Sequence, residues 1–128
     1  MKMILTGTGT SHGIPVIGCG CNVCRSSDSR DNRLRCSAFL ESPVNILVDV
    51  GPEFRIQALK YKINKIDAVF ITHSHADHLH GIDDLRVFSH TKALDPAHPD
   101  NRETEGGGLK IYTTTHAAQD IRHRFDYI

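Results

Sequence analysis

The chain has 128 residues, with Lys plus Arg and Asp plus Glu equal at 15 each and a hydrophobic content of 39%. That length suits one domain, and that composition is neither disordered nor membrane-like. The zero balance excludes a basic field that would draw in nucleic acid non-specifically, and no apolar run approaches the length of a transmembrane helix.

In chain order, Lys2 to Thr6 reads as a strand entering the turn Gly7-Thr8-Gly9. A Gly-x-Gly after a strand invites a dinucleotide reading, but that fingerprint needs a helix to open at once. Here Ile14-Pro15-Val16-Ile17-Gly18 follows, so a tight turn is preferred, and His12 is taken as a loop histidine. The apolar run at the N-terminus is too short for a signal peptide, and the expected compartment is the cytoplasm.

A loop from Thr10 to about Leu34 holds Cys19, Cys21 and Cys24 in a C-x-C-x-x-C spacing. Three thiolates so close can wrap one ion, and structural zinc takes four ligands in a tetrahedron. A redox role and disulfides remain as alternatives; the first wants a helix start, the second an oxidising compartment. Cys36 stands apart and is expected to be a buried structural cysteine.

Cys36–Glu41 and Asn45–Val50 read as two strands around a turn at Ser42-Pro43. Asp49 ends the second strand. A carboxylate there is costly if buried unpaired; the alternative is a helix cap before Pro52. Pro52 to Lys60 reads as a helix with Phe54, Ala58 and Leu59 on its apolar face. Asp67 to Ile71 reads as a buried strand. Leu79, Ile82, Leu85 and Val87-Phe88 give a rough helical spacing. Asp95 to Gly108 reads as a polar surface loop. Leu109 to Thr113 reads as a strand, and Thr114 or Thr115 as the cap of a helix over Ala117 to Tyr127.

The segment that ends the buried strand is the most specific in the chain: His73-Ser74-His75-Ala76-Asp77-His78. Four of the nine histidines lie between positions 73 and 80. Neutral imidazole nitrogen and carboxylate oxygen are the usual ligands of zinc and similar divalent ions. In extended backbone, residues two apart point to one side, so His73 and His75 can share one ion. A turn into helix then aims Asp77 and His78 at a second ion, about 3.5–4 Å from the first. His80 falls on a different helix face and is expected to support the ligands rather than join them. Asp83 and Asp84 are expected on a solvated face or in a salt bridge to Arg86.

These residues resemble the metallo-β-lactamase superfamily, whose hallmark is H-x-H-x-D-H. Met3-Ile4-Leu5-Thr6-Gly7-Thr8-Gly9-Thr10, Gly18 to Cys24, and Thr72 to Arg86 are similar to its PhnP branch of phosphodiesterases. The resemblance implies an α/β (α+β) chain that is the N-terminal half of an αββα sandwich, with 1–128 as one metallo-β-lactamase-like domain that stops short at its C-terminus. It implies a metal-dependent hydrolase acting on a small cyclic phosphate or related phosphodiester. Alternatives on the same site are a tRNA 3′-end nuclease, a lactonase, a thioesterase, or a metal-binding fragment without catalysis. It assigns His73, His75, Asp77 and His78 to two divalent ions, zinc or manganese, and Asp77 to catalysis as well. Asp49 is assigned to bracing those ligands, and the cysteines to a structural zinc whose fourth ligand is a distant histidine. The remaining active-site ligands of the superfamily have no match before Ile128. The expected partners are a small phosphodiester, no membrane and no nucleic acid. With half of a sandwich uncovered, the chain is expected to self-associate or to need the missing half.

Overall fold

The computed structural model describes residues 1–93 and 108–127. The expected loop at Asp95–Gly108, apart from Gly108, lies outside the described residues. The strands are β1 (Lys2–Gly7), β2 (Ser37–Glu41), β3 (Ile46–Val48), β4 (Ala68–Phe70) and β5 (Lys110–Tyr112). The helices are α1 (Phe54–Tyr61), α2 (Ala76–Leu79), α3 (Arg86–Ala93) and α4 (Thr115–Arg124). One five-stranded sheet runs in the order β1-β2-β3-β4-β5. β1, β2 and β3 are antiparallel, and β3, β4 and β5 are parallel. The two parallel connections carry α1 and then α2 with α3, as parallel strands require a crossover.

Strand alternation sorts the sheet into two unlike faces. Ile4, Phe39, Leu47 and Val69 stand opposite one another across β1 to β4. They meet Phe54 of α1, Leu79 of α2, Phe88 of α3 and the 3-10 turn Ile82–Leu85 in one apolar cluster. Ile121 and Phe125, on and just after α4, pack against the same cluster, so all the helices lie on this face. Leu47 and Val69 have no exposed surface, and burying each such side chain is worth roughly 1.5–3 kcal/mol.

The other face is also apolar but lacks a cover among the described residues. Leu5, Ala38, Val48, Phe70 and Tyr112 form one row across all five strands. Leu5 is 58% exposed, Phe70 43% and Tyr112 47%. The Phe70 and Tyr112 rings stack with centroids 5.1 Å apart.

Two expectations are corrected. Cys36 is exposed rather than buried. Ser37 and Phe39 turn to the helix face, so the alternation sends Cys36 away from it. The apolar spacing from Leu79 to Phe88 does not make one helix. α2 stops at Leu79, the 3-10 turn follows, and α3 starts at Arg86. The break is at Gly81, where a Cβ would lie 2.1 Å from the Gly51 carbonyl oxygen. The chain crosses β3's exit there too closely for a straight helix.

A polypeptide of these 128 residues is expected to self-associate through the uncovered face. Phe70→Lys together with Leu5→Lys should shift sedimentation toward monomer. A parent chain that sediments as a monomer at 100 µM would contradict this (a concentration chosen on the order of weak association).

Candidate metal centre

β3 and β4 are parallel and end side by side. Their carboxyl ends form the edge at which ligands bind in open α/β sheets. Asp49 leaves β3 with φ +60°, a left-handed conformation that Asp tolerates better than most residues. Its N–H donates to the Phe70 carbonyl at 2.8 Å, which extends the β3–β4 pairing. Val50 N–H then donates to the His78 carbonyl at 2.8 Å, and Gly81 N–H to the Val50 carbonyl at 2.9 Å. A Cβ at Gly51 would sit 2.2 Å from the Asp77 carbonyl oxygen, so only glycine fits there. The strand exit and the histidine segment are thus pressed backbone to backbone.

The Asp49 side chain is 4% exposed as a residue and fully engaged. Oδ1 accepts from Thr72 N–H at 2.8 Å, and the Thr72 hydroxyl lies 3.0 and 2.9 Å from the two carboxylate oxygens. Oδ2 is 2.7 Å from His78 Nδ1. None of these partners is on α1, whose N-cap position belongs to Glu53. The capping alternative for Asp49 therefore gives way to bracing of the loop.

Counting donors assigns the tautomers. An ionised carboxylate only accepts. The single Thr72 hydroxyl proton therefore goes to Asp49. His73 Nδ1, 2.9 Å from the same hydroxyl, must then donate to its oxygen. His78 Nδ1 likewise donates to Asp49. Both rings thus carry a proton on Nδ1, while His78 Nε2 lies against the Asp77 carboxylate. A carboxylate or hydroxyl behind a histidine is how proteins orient a metal ligand.

The three rings lie close together. The rings of His73 and His78 have centroids 4.1 Å apart, and those of His73 and His75 4.6 Å. His78 Nε2 is 3.2 Å from Asp77 Oδ2. By type, three imidazoles and one carboxylate suit zinc or manganese, but no three of their ligand atoms lie within 4.8 Å of one another. His80 is exposed, closes α2 with its N–H on the Ala76 carbonyl, and sets its ring edge-on to Phe125 at 5.8 Å. Asp83 pairs with Arg86 at 3.8 Å and also accepts from the Tyr127 hydroxyl at 2.9 Å. His12 is exposed in its loop.

Among the described residues, one group gathers three possible ligand atoms within 4.8 Å of one another: Cys19, Cys21 and Cys24. Two backbone N–H groups point at their sulfurs, Val16 toward Cys24 at 3.4 Å and Cys24 toward Cys21 at 3.5 Å. Hydrogen bonds from the Cys24 N–H, then from the Cys19 and Cys24 thiols, draw the Cys21 thiol down to about 7. Cys24 moves up: the Val16 N–H lowers it, but the Cys19 contact, desolvation and the Cys21 contact outweigh that. Backbone donors aimed at sulfur suit thiolates, the form that binds metal.

Several residues of this region were not singled out from the sequence. Thr72, which links Asp49 to His73, directly precedes the histidine segment. Ser74 is 8% exposed, and its hydroxyl donates to Asp120 of α4. Arg124 donates to the Ser74 carbonyl at 2.7 Å. The one sequence signal was the Asp120/Arg124 spacing of four on a predicted helix.

Asp49→Ala leaves the Thr72 amide and hydroxyl without their acceptor. It is expected to lower unfolding free energy by about 3 kcal/mol, with Asp49→Asn costing less. Urea titration measures both. Equal stability of Asp49→Ala and the parent would contradict the bracing role.

Comparison with known proteins agrees with this architecture. A family model described as a beta-lactamase superfamily domain matches residues 44–128. A protein of Porphyromonas gingivalis (strain ATCC BAA-308 / W83), named octanoyltransferase, is 40% identical over 130 residues, covering 100% of this chain and 23% of its own length. A crystal structure described as a new diphosphatase from the PhnP family is 40% identical, with a TM-score of 0.81 over 98% of this chain and 46% of that one. Human tRNase Z, short form, is 20% identical with a TM-score of 0.64, over 99% of this chain and 40% of that one. Zn(2+)-bound PqqB from Methylobacterium extorquens is 18% identical with a TM-score of 0.62, over 89% and 46%. These last two show the fold alone. The chain spans less than half the length of each of these relatives. By the family match over residues 44–128, and with the sheet and helices of about half of a PhnP-family structure, this chain belongs to the beta-lactamase superfamily and has the metallo-β-lactamase fold.

Proposed function

We propose that this chain supplies the first metal-binding half of a hydrolase that cleaves a small phosphodiester, such as a cyclic phosphate. The observation that carries the reading is the Asp49–Thr72 network, which holds His73 and His78 by Nδ1 at the strand edge. The likeness to a structure described as a PhnP-family diphosphatase supports phosphorus as the reacting centre. Octanoyl transfer is no part of the reading, because the match covers 23% of the protein so named. The zero net charge gives no support to a tRNA substrate.

In this reading His73 and His75 hold one divalent ion, and Asp77 and His78 the other. Such ions, zinc or manganese, supply Lewis acidity and a water acidic enough to lose a proton near neutral pH. The chain's own part is preorganisation. Asp49 keeps His78 in the required tautomer, Thr72 does the same for His73, and Asp77 sits beside His78 at the place where charge must be balanced. Ligands outside residues 1–128 would complete the coordination. Cys19, Cys21 and Cys24 hold a separate structural zinc, with backbone N–H groups supporting the thiolates. Reduced thiols of this kind suit a cytoplasmic setting.

His75→Ala is expected to lower turnover of bis(p-nitrophenyl) phosphate by more than about 100-fold, since even partners behind the ligands are worth 10–100-fold. Metal content of protein purified without chelator should fall with it. A His75→Ala protein with the parent's metal content and turnover would overturn the reading.

Zinc is expected to protect Cys19, Cys21 and Cys24 from alkylation while the exposed Cys36 still reacts. Cys21→Ser should lower the melting temperature by about 5 °C or more and leave phosphodiester turnover unchanged. Equal alkylation of all four cysteines with zinc present would exclude the structural site.

A further inference from the structure

Ser74 lies between two of the proposed ligands yet faces away from them. It is buried, and its hydroxyl and its carbonyl are both held by α4, more than forty residues later in the chain. The hydroxyl donates to Asp120 Oδ2. The carbonyl accepts from Arg124 Nη1 at 2.7 Å. Asp120 and Arg124 pair with each other at 3.6 Å, and His116 Nε2 stands 3.9 Å from the same carboxylate. The Ser74 contact also keeps the Asp120 carboxyl below the usual carboxylate range.

The grip does not stop at Ser74. The Thr113 hydroxyl donates to the Ile71 carbonyl at 2.8 Å, just before the histidines. Phe125 and Tyr127 meet His80 and Asp83, just after them. The apolar docking of α4 is separate: Ala117 is buried, and Ile121, with Phe125 just past the helix, packs on the core. Apolar contacts thus attach the helix alongside Asp120 and Arg124. Their charge-assisted contacts are spent on one residue of the metal loop.

We propose that Asp120 and Arg124 are positioning residues, which clamp Ser74 by its hydroxyl and carbonyl and so set the directions in which His73 and His75 leave the chain. This rests on the metal reading above. Rotation of the Ser74 peptide would swing both neighbouring side chains, because successive residues in extended backbone diverge to opposite faces. Holding that peptide at both its side chain and its carbonyl removes this freedom before any ion arrives, which is the condition for tight, ordered binding.

The test uses Mn(II) as probe on the intact protein, because manganese favours nitrogen and oxygen donors over the cysteine thiolates. Ser74→Ala and Asp120→Ala are each expected to weaken Mn(II) binding by about 10-fold and to broaden the electron paramagnetic resonance spectrum of the bound ion. The double variant should be no weaker than either single, since both remove one contact. Asp120→Asn keeps an acceptor for Ser74 and should recover most of the affinity. Arg124→Ala, at a half-exposed site, gives the same readout should a core-proximal variant fail to fold. Unchanged Mn(II) affinity and spectrum, with only a lower melting temperature, would show that α4 merely stabilises the fold. His73→Ala separates the two failures. If it loses Mn(II) binding while the clamp variants do not, the clamp alone is wrong. If it too binds as the parent does, the metal reading falls and the clamp with it.

Discussion

The buried Asp49 carboxylate accepts hydrogen bonds from the Thr72 amide and hydroxyl and from His78 Nδ1, and the histidine segment takes its shape from those contacts. A carboxylate at this depth is tolerable only when its lone pairs are filled. Filling them fixes three things at once: the path of the chain after β4, the tautomer of His78, and, through Thr72, the tautomer of His73. The positive φ of Asp49 belongs to the same arrangement. A backbone held in a sparsely populated region at a functional edge is maintained by the contacts around it.

Backbone proximity then makes the arrangement stiff. Gly51 lies under Asp77, and Gly81 lies under Gly51, at separations that admit no Cβ. Val50 exchanges hydrogen bonds with His78 and Gly81 across the same gap. The strand exit, the short α2 and the 3-10 turn therefore behave as one unit. Main-chain hydrogen bonds on both sides of this contact fix where Asp77 and His78 leave the backbone.

The sheet divides the molecule by function as well as by burial. One face carries the helices and the closed core. The other presents Leu5, Phe70 and Tyr112 in a row without a cover among the described residues. In a fold that lays two sheets together, such a face is an inner surface. The histidine segment stands at the end of the strands that separate these faces, so groups brought by a covering sheet would approach it from the open side. The span of less than half of each relative's length is in keeping with that geometry.

The strands and the metal segment were legible because they are local. A turn signal at Ser42-Pro43 and a short apolar run marked β2, β3 and β4 to within two residues, and H-x-H-x-D-H carries its chemistry in six consecutive positions. Thr114 was among the expected caps of α4, and it is the one that accepts from Ala117 N–H. What the amino-acid order left open depends on separation along the chain. Asp49 had two readings until its contacts with residues 23 and 29 positions away were on view. Cys36 was misplaced because apolar character alone does not say which face a residue takes. The helix expected after His78 breaks where two glycine segments approach backbone to backbone, a contact that no window of sequence contains. Ser74 read as a spacer between histidines, and only the folded chain brings Asp120 and Arg124 to it across 46 and 50 residues. Local periodicity and short spacing are written in the order of residues; which distant donor meets which acceptor is decided by the packing of α4 on the core.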